Sequence, residues 1–199
     1  MTAQMLPKGG SRSTGHIPGE VGIWLMIAGD LVLFSVLFVL FLQYRASQLE
    51  VFEAGHARLN QTFGLVNTLL MLTSSWFAAT AVHAVRRGLA KAASGCFAMA
   101  LLCGLGFVLV KVFEYGEKLR AGITLSTNDF FMLYFIYTGI HLVHVVIGMG
   151  VLTTLMIYSR SGNFVLNKQR NIETGVSFWH LVDLLWIVLF ALLYLVGAP

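Results

Sequence analysis

The chain has 199 residues, of which 57% are hydrophobic and only 11% are charged, and its mean hydropathy is +0.79. A soluble domain carries about 25% charged residues, so this composition excludes a soluble protein and indicates an integral membrane protein. At about 20 residues per span, the chain has room for some five membrane helices and for no separate extramembrane domain.

The first segment, residues 1–18, is polar and rich in Gly, Ser and Thr. It lacks the basic, apolar and cleavage-site regions that a signal peptide has in that order. We therefore expect a flexible cytoplasmic tail here, followed by a membrane domain that occupies residues 19–199.

Five apolar runs are long enough to cross a hydrocarbon core of about 30 Å. They are Val21–Leu42, Leu65–Val85, Ala92–Val110, Phe130–Tyr158 and Val176–Val196, the third continuing through Lys111 to Glu114. The runs show no strand-like alternation, which favours helices over a β-barrel. The sequence thus predicts an all-α polytopic membrane protein, a bundle of five transmembrane helices.

The formal net charge is +4. In a membrane protein such an excess of basic residues relates to orientation, so we expect no binding to nucleic acid. The tail and the second and fourth loops hold eight basic residues, namely Lys8, Arg12, Arg86, Arg87, Lys91, Arg160, Lys168 and Arg170. The first and third loops hold four, namely Arg45, Arg58, Lys118 and Arg120. Because basic residues accumulate in cytoplasmic loops, this distribution predicts a cytoplasmic N-terminus and a periplasmic C-terminus.

Ionisable side chains interrupt the predicted spans. Asp30 lies about 14 Å into the first helix, near the bilayer centre, where a charge is costly unless it faces protein or water. Residues three apart share one helix face, and three such pairs occur: Lys111 with Glu114, His141 with His144, and His180 with Asp183. We predict that a polar seam holds the helices together and contains Asp30, His141, His144, His180 and Asp183.

The residues alone leave three interpretations of these polar groups open. The first is structural, with side chains that pair across helices, such as His180 and Asp183 with a partner at His141 or His144. The second is a haem site, for which His83 and His180 are the one pair at a similar depth. The third is an ion path through carboxylates.

The four tryptophans are expected in two environments. Trp24 and Trp179 lie near predicted helix starts and fit the aromatic belt at the membrane interface. Trp76 and Trp186 lie deeper, so we expect them to pack between helices.

Four segments together resemble subunit III of the haem-copper terminal oxidases. In chain order they are GIWLMIAGDLVLFSVLF from Gly22, GFVLVKVFEY from Gly106, GIHLVHVVIG from Gly139 and FWHLVDLLWIVLFALLYLVG from Phe178. The similarity runs from about Glu20 to Val196, and five helices resemble the short bacterial form of the family. That form includes subunits of cytochrome c oxidases and quinol oxidases and the accessory protein of nitric oxide reductase.

The resemblance implies a non-catalytic subunit of a respiratory oxidase in the bacterial cytoplasmic membrane. Such a subunit packs against the haem-copper catalytic subunit I and other oxidase subunits, binds membrane phospholipid and supports assembly, stability and proton uptake. Haem and copper are then expected in the partners, with no metal, cofactor or catalytic residue in this chain. The alternatives are a nitric oxide reductase accessory subunit and a haem-binding, quinol-oxidising cytochrome b subunit.

The sequence departs from the family pattern at Lys111, where the family has a membrane-embedded glutamate. A lysine here either extends outward to water or pairs with Glu114 one turn away. Both residues are therefore candidates for contacts with lipid or for helix packing. Arg86 and Arg87 are topogenic charges that also suit an anionic lipid.

Overall fold

The computed structural model describes residues 21–160 and 166–196, with side chains for 24–160 and 171–196. Within these ranges all regular structure is helical: α1 (Val21–Ser47), α2 (Leu49–His56), α3 (Gln61–Arg86), α4 (Ala90–Arg120), α5 (Asp129–Arg160) and α6 (Leu166–Phe190), which ends in a π-helical turn, Ala191–Leu195. Five of the helices are long and apolar enough to cross a membrane, which confirms the predicted all-α polytopic fold. The predicted tail at residues 1–18 lies outside the described residues.

The five long helices extend beyond the predicted apolar runs. The largest difference is at α6, which begins at Leu166 and not at Val176. Residues 166–175 include several polar side chains, so hydropathy does not count them as a span although they continue the helix. The short helix α2, in the first predicted loop, was not predicted, because its eight residues cannot cross a bilayer.

Local signals explain where the helices end. Gly88 and Gly122 adopt positive φ angles of 72° and 75° just after α3 and α4. In each case the next amide bonds to the carbonyl five residues earlier, Leu89 N to Ala84 O at 2.9 Å and Ile123 N to Lys118 O at 2.9 Å. This is the Schellman geometry, which glycine adopts without a Cβ penalty.

The four helices α3 to α6 form the centre of the bundle. Helix α3 packs against α4 and α6, and α5 packs against the same two, so each helix has two neighbours. The main contacts of helix α1 are with α5, α6 and α2. In the most apolar stretch of α1, 11% of the residues are buried, whereas the corresponding fraction in α6 is 56%. Helix α6 is therefore the central helix, and α1 is peripheral.

Trp179 of α6 fills the interior of this bundle. A Cβ atom added at Gly148 would lie 2.6 Å from its ring and one at Gly104 would lie 3.2 Å from it, so both glycines make room for the indole. The ring nitrogen donates to Ser74 Oγ at 3.1 Å, and this hydroxyl donates to Ala100 O at 2.8 Å. One tryptophan therefore joins α6, α3 and α4, and the predicted interfacial position of Trp179 is wrong.

Trp76 differs from its prediction in the other direction, because it is exposed where burial was expected. It is 63% exposed, although its depth in the sequence predicted packing between helices. Trp186 is fully buried and donates to Thr68 Oγ1 at 3.0 Å, as that same reasoning predicts.

Candidate functional site: a buried charge cluster and its polar neighbours

An ion pair lies in the interior of the bundle, on one face of α4. Lys111 Nζ is 2.8 Å from Glu114 Oε2, and each residue is only 1% exposed. The spacing of three residues brings the two side chains together on the helix. The contact is that of a buried pair in helix packing, and neither side chain reaches the lipid-facing surface.

Two tyrosines complete the hydrogen bonds of this pair. Tyr194 Oη accepts from Lys111 Nζ at 3.0 Å and donates to Glu114 Oε1 at 2.6 Å. Tyr134 Oη accepts from the same ammonium at 3.4 Å. A buried charge is tolerated only with partners of this kind, so α5 and α6 supply the groups that α4 needs.

The ammonium also lies against four aromatic rings. The distances from Lys111 Nζ to the ring centroids are 4.8 Å for Trp186, 5.3 Å for Tyr134, 5.4 Å for Tyr194 and 6.0 Å for Tyr115. Each is within the range of a cation–π interaction, which strengthens when water is excluded. We call Lys111, Glu114 and these four residues the charge cluster.

The π-helical turn at the end of α6 lies at this cluster. Tyr194 belongs to the turn, which is closed by the bond from Val196 N to Ala191 O at 3.0 Å. The carbonyl oxygen of Tyr194 accepts from His56 Nε2 at 2.9 Å and from Gln61 Nε2 at 3.2 Å. Side chains of α2 and α3 thus satisfy a carbonyl at the helix end, and they hold the tyrosine in place.

A second polar contact connects α1 to α5. His144 Nε2 is 3.3 Å from Asp30 Oδ1, and both side chains are 16% exposed. The other ring nitrogen of His144 is 2.9 Å from Ile140 O, which only accepts. The contact therefore joins the middle of α1 to α5.

The two remaining histidines of the predicted seam have different surroundings. His180 Nδ1 is 2.5 Å from Ser75 Oγ of α3, whereas the sequence suggested a partner at His141 or His144. Asp183 is 6% exposed, and its Oδ1 has no hydrogen-bond partner. His141 is fully buried between the rings of Phe107 and Trp186, at centroid distances of 5.6 Å and 5.3 Å. Asp30 with His144, His180 with Ser75, and His141 with its two rings thus form separate contacts.

The two arginines at the end of α3 differ in their contacts. Arg86 forms an ion pair with Glu173 of α6, with Nη2 2.9 Å from Oε1. Arg87 is exposed at the end of the helix. The pair joins the end of α3 to α6. Because exposed ion pairs contribute little to stability, we expect this contact to add little to the stability of the bundle.

The partners Tyr134, Tyr194 and Ser75 were not singled out from the sequence. One available signal was the buried charge itself, because Lys111 and Glu114 inside an apolar run require hydrogen-bond partners on other helices. Nothing in the spacing says which tyrosine or serine provides them.

The fold and these contacts define a class of protein: a polytopic helical membrane protein whose polar groups connect its own helices. Among the described residues, no group of three or more His, Cys, Asp or Glu is arranged to hold a metal ion. The charge cluster is enclosed by its own tyrosines, and its observed contacts join α4 to α5 and α6.

Comparison with known proteins identifies the family. Residues 14–198 match the family described as "Cytochrome c oxidase subunit III". The chain is 31% identical to "Quinol oxidase subunit 3" of Bacillus subtilis (strain 168), covering 89% of this chain and 86% of that protein. It is 26% identical to "Cytochrome c oxidase subunit 3" of Bacillus sp. (strain PS3), covering 99% and 96%. This chain belongs to the subunit III family of haem-copper oxidases.

A further relative combines two subunit names. The chain is 26% identical to part of "Heme-copper oxidase subunit I+III" of Aeropyrum pernix, covering 87% of this chain and 22% of that protein. According to this name, subunits I and III occur in one polypeptide in that organism.

Proposed function

We propose that this chain is the third, non-catalytic subunit of a bacterial terminal oxidase, in which it supports assembly, stability and proton uptake of the catalytic subunit. The observation that carries the proposal is the family match over residues 14–198. Relatives named for quinol oxidase and for cytochrome c oxidase both align with most of the chain. The electron donor of the complex is therefore a quinol or cytochrome c, and its electron acceptor is oxygen.

The face of α1 that the bundle leaves uncovered is where we expect the protein partner in the membrane. Large apolar side chains are exposed along this helix: Leu25, Val32, Leu33, Val36, Val39 and Leu42. Inside the bundle, α1 packs chiefly through Phe34 and Phe41. The relative whose name joins subunits I and III makes a subunit I the expected partner. We place it, together with lipid, on the exposed face of α1.

The proposed location is the cytoplasmic membrane of a bacterium, with the N-terminus in the cytoplasm and the C-terminus in the periplasm. The excess of Lys and Arg in the tail and in the second and fourth loops supports this orientation. Haem and copper then belong to the partner subunits, and phospholipid is the ligand of this chain.

The polar residues of the bundle have a structural role in this proposal. Asp30 and His144 join α1 to α5, and His180 joins α6 to α3 through Ser75. The charge cluster joins α4, α5 and α6.

Affinity purification from native membranes in mild detergent tests the proposal. We expect a haem-copper catalytic subunit to co-purify, identified by mass spectrometry, together with its reduced-minus-oxidised haem spectrum. A nitric oxide reductase in its place would indicate the accessory-subunit alternative, although the relatives carry oxidase names. A chain that purifies alone with a haem spectrum would indicate a cytochrome b subunit, and a chain that purifies alone without one would contradict the proposal.

A further inference from the structure

A cavity of about 310 Å³ lies between the beginning of α4 and the end of α5. It is lined by Ala90, Lys91, Ser94, Gly95 and Arg160. Two of these five side chains are cationic, and none is acidic. The cavity is separate from the charge cluster, since none of its lining residues belongs to that cluster.

The polar groups of this cavity suit an anion. Arg160 Nε donates to Ser94 Oγ at 3.2 Å, which places the guanidinium of α5 beside the first turns of α4. Helix α4 begins at Ala90, and its N-cap residue, Leu89, makes no side-chain capping bond. The positive end of the helix dipole thus adds to the charges of Lys91 and Arg160.

An apolar path leads from the cavity along the membrane-facing surface. Gly95, Met99 and Leu102 lie on one face of α4 at intervals of four and three residues, and Met99 and Leu102 are 43% and 60% exposed. On α5, which runs in the opposite direction, Ile157 lies one turn from Arg160 and is 58% exposed. No heavy atom outside the local helix backbone lies within 4 Å of a Cβ added at Gly95, so the path is open where it meets the cavity.

We propose that this cavity binds the phosphate group of an anionic phospholipid, with an acyl chain lying along α4. Lys91 and Arg160 contact the phosphate, and Gly95 provides the space for it. The cavity lies at helix ends, where apolar surface meets basic side chains. This position favours a lipid over a free phosphate, because inorganic phosphate has no acyl chain that could contact the apolar path. The proposal requires that the chain lies in a bilayer, and it holds whichever donor or acceptor the complex uses.

A photoactivatable phosphatidylglycerol analogue, added to the purified complex that contains this chain, tests the site. We expect labelled peptides from the first turns of α4 and the last turns of α5. Unlabelled phosphatidylglycerol should compete for this labelling about tenfold better than phosphatidylcholine. Equal competition by the two lipids would overturn the proposal, as would competition by inorganic phosphate at the concentration at which phosphatidylglycerol competes.

Variants separate the proposed site from general attraction between basic residues and lipid. The double variant Lys91→Ala/Arg160→Ala should lower labelling about tenfold, and Gly95→Phe should lower it similarly without removing a charge. The control Arg58→Ala/Arg120→Ala removes two exposed charges that do not line the cavity, and we expect unchanged labelling. Labelling that persists in the double variant Lys91→Ala/Arg160→Ala would contradict the proposal.

Should Gly95→Phe fail to assemble, the competition between lipids for the unmodified complex still shows whether the site prefers phosphatidylglycerol. Loss of labelling here with normal co-purification of the catalytic subunit would leave the proposed function intact.

Discussion

Removing one partner of the Lys111–Glu114 pair should strongly destabilise the bundle. The two side chains are 2.8 Å apart and almost completely inaccessible to solvent. Loss of one member leaves the other charge buried, at a cost of about 3–5 kcal/mol. Replacing both with neutral residues of similar size should cost much less, because no charge is then buried.

The structure also predicts which single variant is worse. In Glu114→Gln the ammonium keeps two tyrosine oxygens and the four rings around it, at 4.8 to 6.0 Å. In Lys111→Met the carboxylate keeps the hydroxyl of Tyr194 at 2.6 Å but loses the one cation of the charge cluster. We therefore expect a loss of about 3 kcal/mol for Glu114→Gln and about 5 kcal/mol for Lys111→Met.

Thermal unfolding in detergent, followed by tryptophan fluorescence, measures these losses. At about 2–4 °C per kcal/mol for a chain of this size, the two single variants should unfold roughly 6–20 °C below the unmodified protein. The double variant Lys111→Met/Glu114→Gln should recover at least about 2 kcal/mol relative to the sum of the two single losses. Glu117→Gln is the matched control, since it makes the same change at an exposed position of the same helix.

Two results would refute this reasoning. Lys111→Met could unfold at the same temperature as the control, which would mean that the ion pair contributes nothing to the bundle. Alternatively, the double variant could lose the sum of the two single losses, which would mean that the residues act independently. Lys111→Glu adds a further test: it places a second carboxylate beside Glu114 and should be less stable than Lys111→Met unless one carboxyl takes up a proton.

Two further predictions concern the helix contacts. Gly148→Ala should lower the stability of the bundle by about 1–3 kcal/mol, because its Cβ would lie 2.6 Å from the ring of Trp179. The control Gly150→Ala has no heavy atom within 4 Å and should change the stability by less than about 0.5 kcal/mol. Equal shifts of the unfolding temperature in the two variants would show that the ring adapts at no cost. Asp30→Leu should loosen α1, because it removes the partner of His144, while Asp30→Asn retains a hydrogen-bonding group; hydrogen exchange in α1 should increase in the leucine variant alone, and identical exchange in both variants would contradict this role.

The class of the protein and the positions of its spans follow from local properties of the sequence. A run of about 20 apolar residues can span a bilayer wherever it occurs, because a helix satisfies its own backbone in hydrocarbon. Hydropathy alone does not locate the beginning of every helix. The polar first part of α6 continues a helix that hydropathy places ten residues later, at Val176. The spacing rule also works within one helix, since Lys111 and Glu114 meet as the three-residue interval predicts.

Contacts between helices depend on information that the sequence pattern lacks. Tyr194 meets Lys111 across 83 residues, and His180 meets Ser75 across 105. Neither pairing follows from depth in the membrane alone, because depth leaves the rotation of each helix and the order of its neighbours open.

What the sequence by itself determined is therefore the membrane class, the five spans and the depth of each charge along its helix. Only the tertiary structure decided which side of each helix faces protein, as Trp76 and Trp179 illustrate, one exposed and the other buried against the prediction for each. The physical reason is that lipid tails are as apolar as the interior of the bundle. Hydrophobic burial, which orients the helices of a soluble protein, gives no such signal here, and small residues, aromatic rings and hydrogen bonds between helices set the orientation.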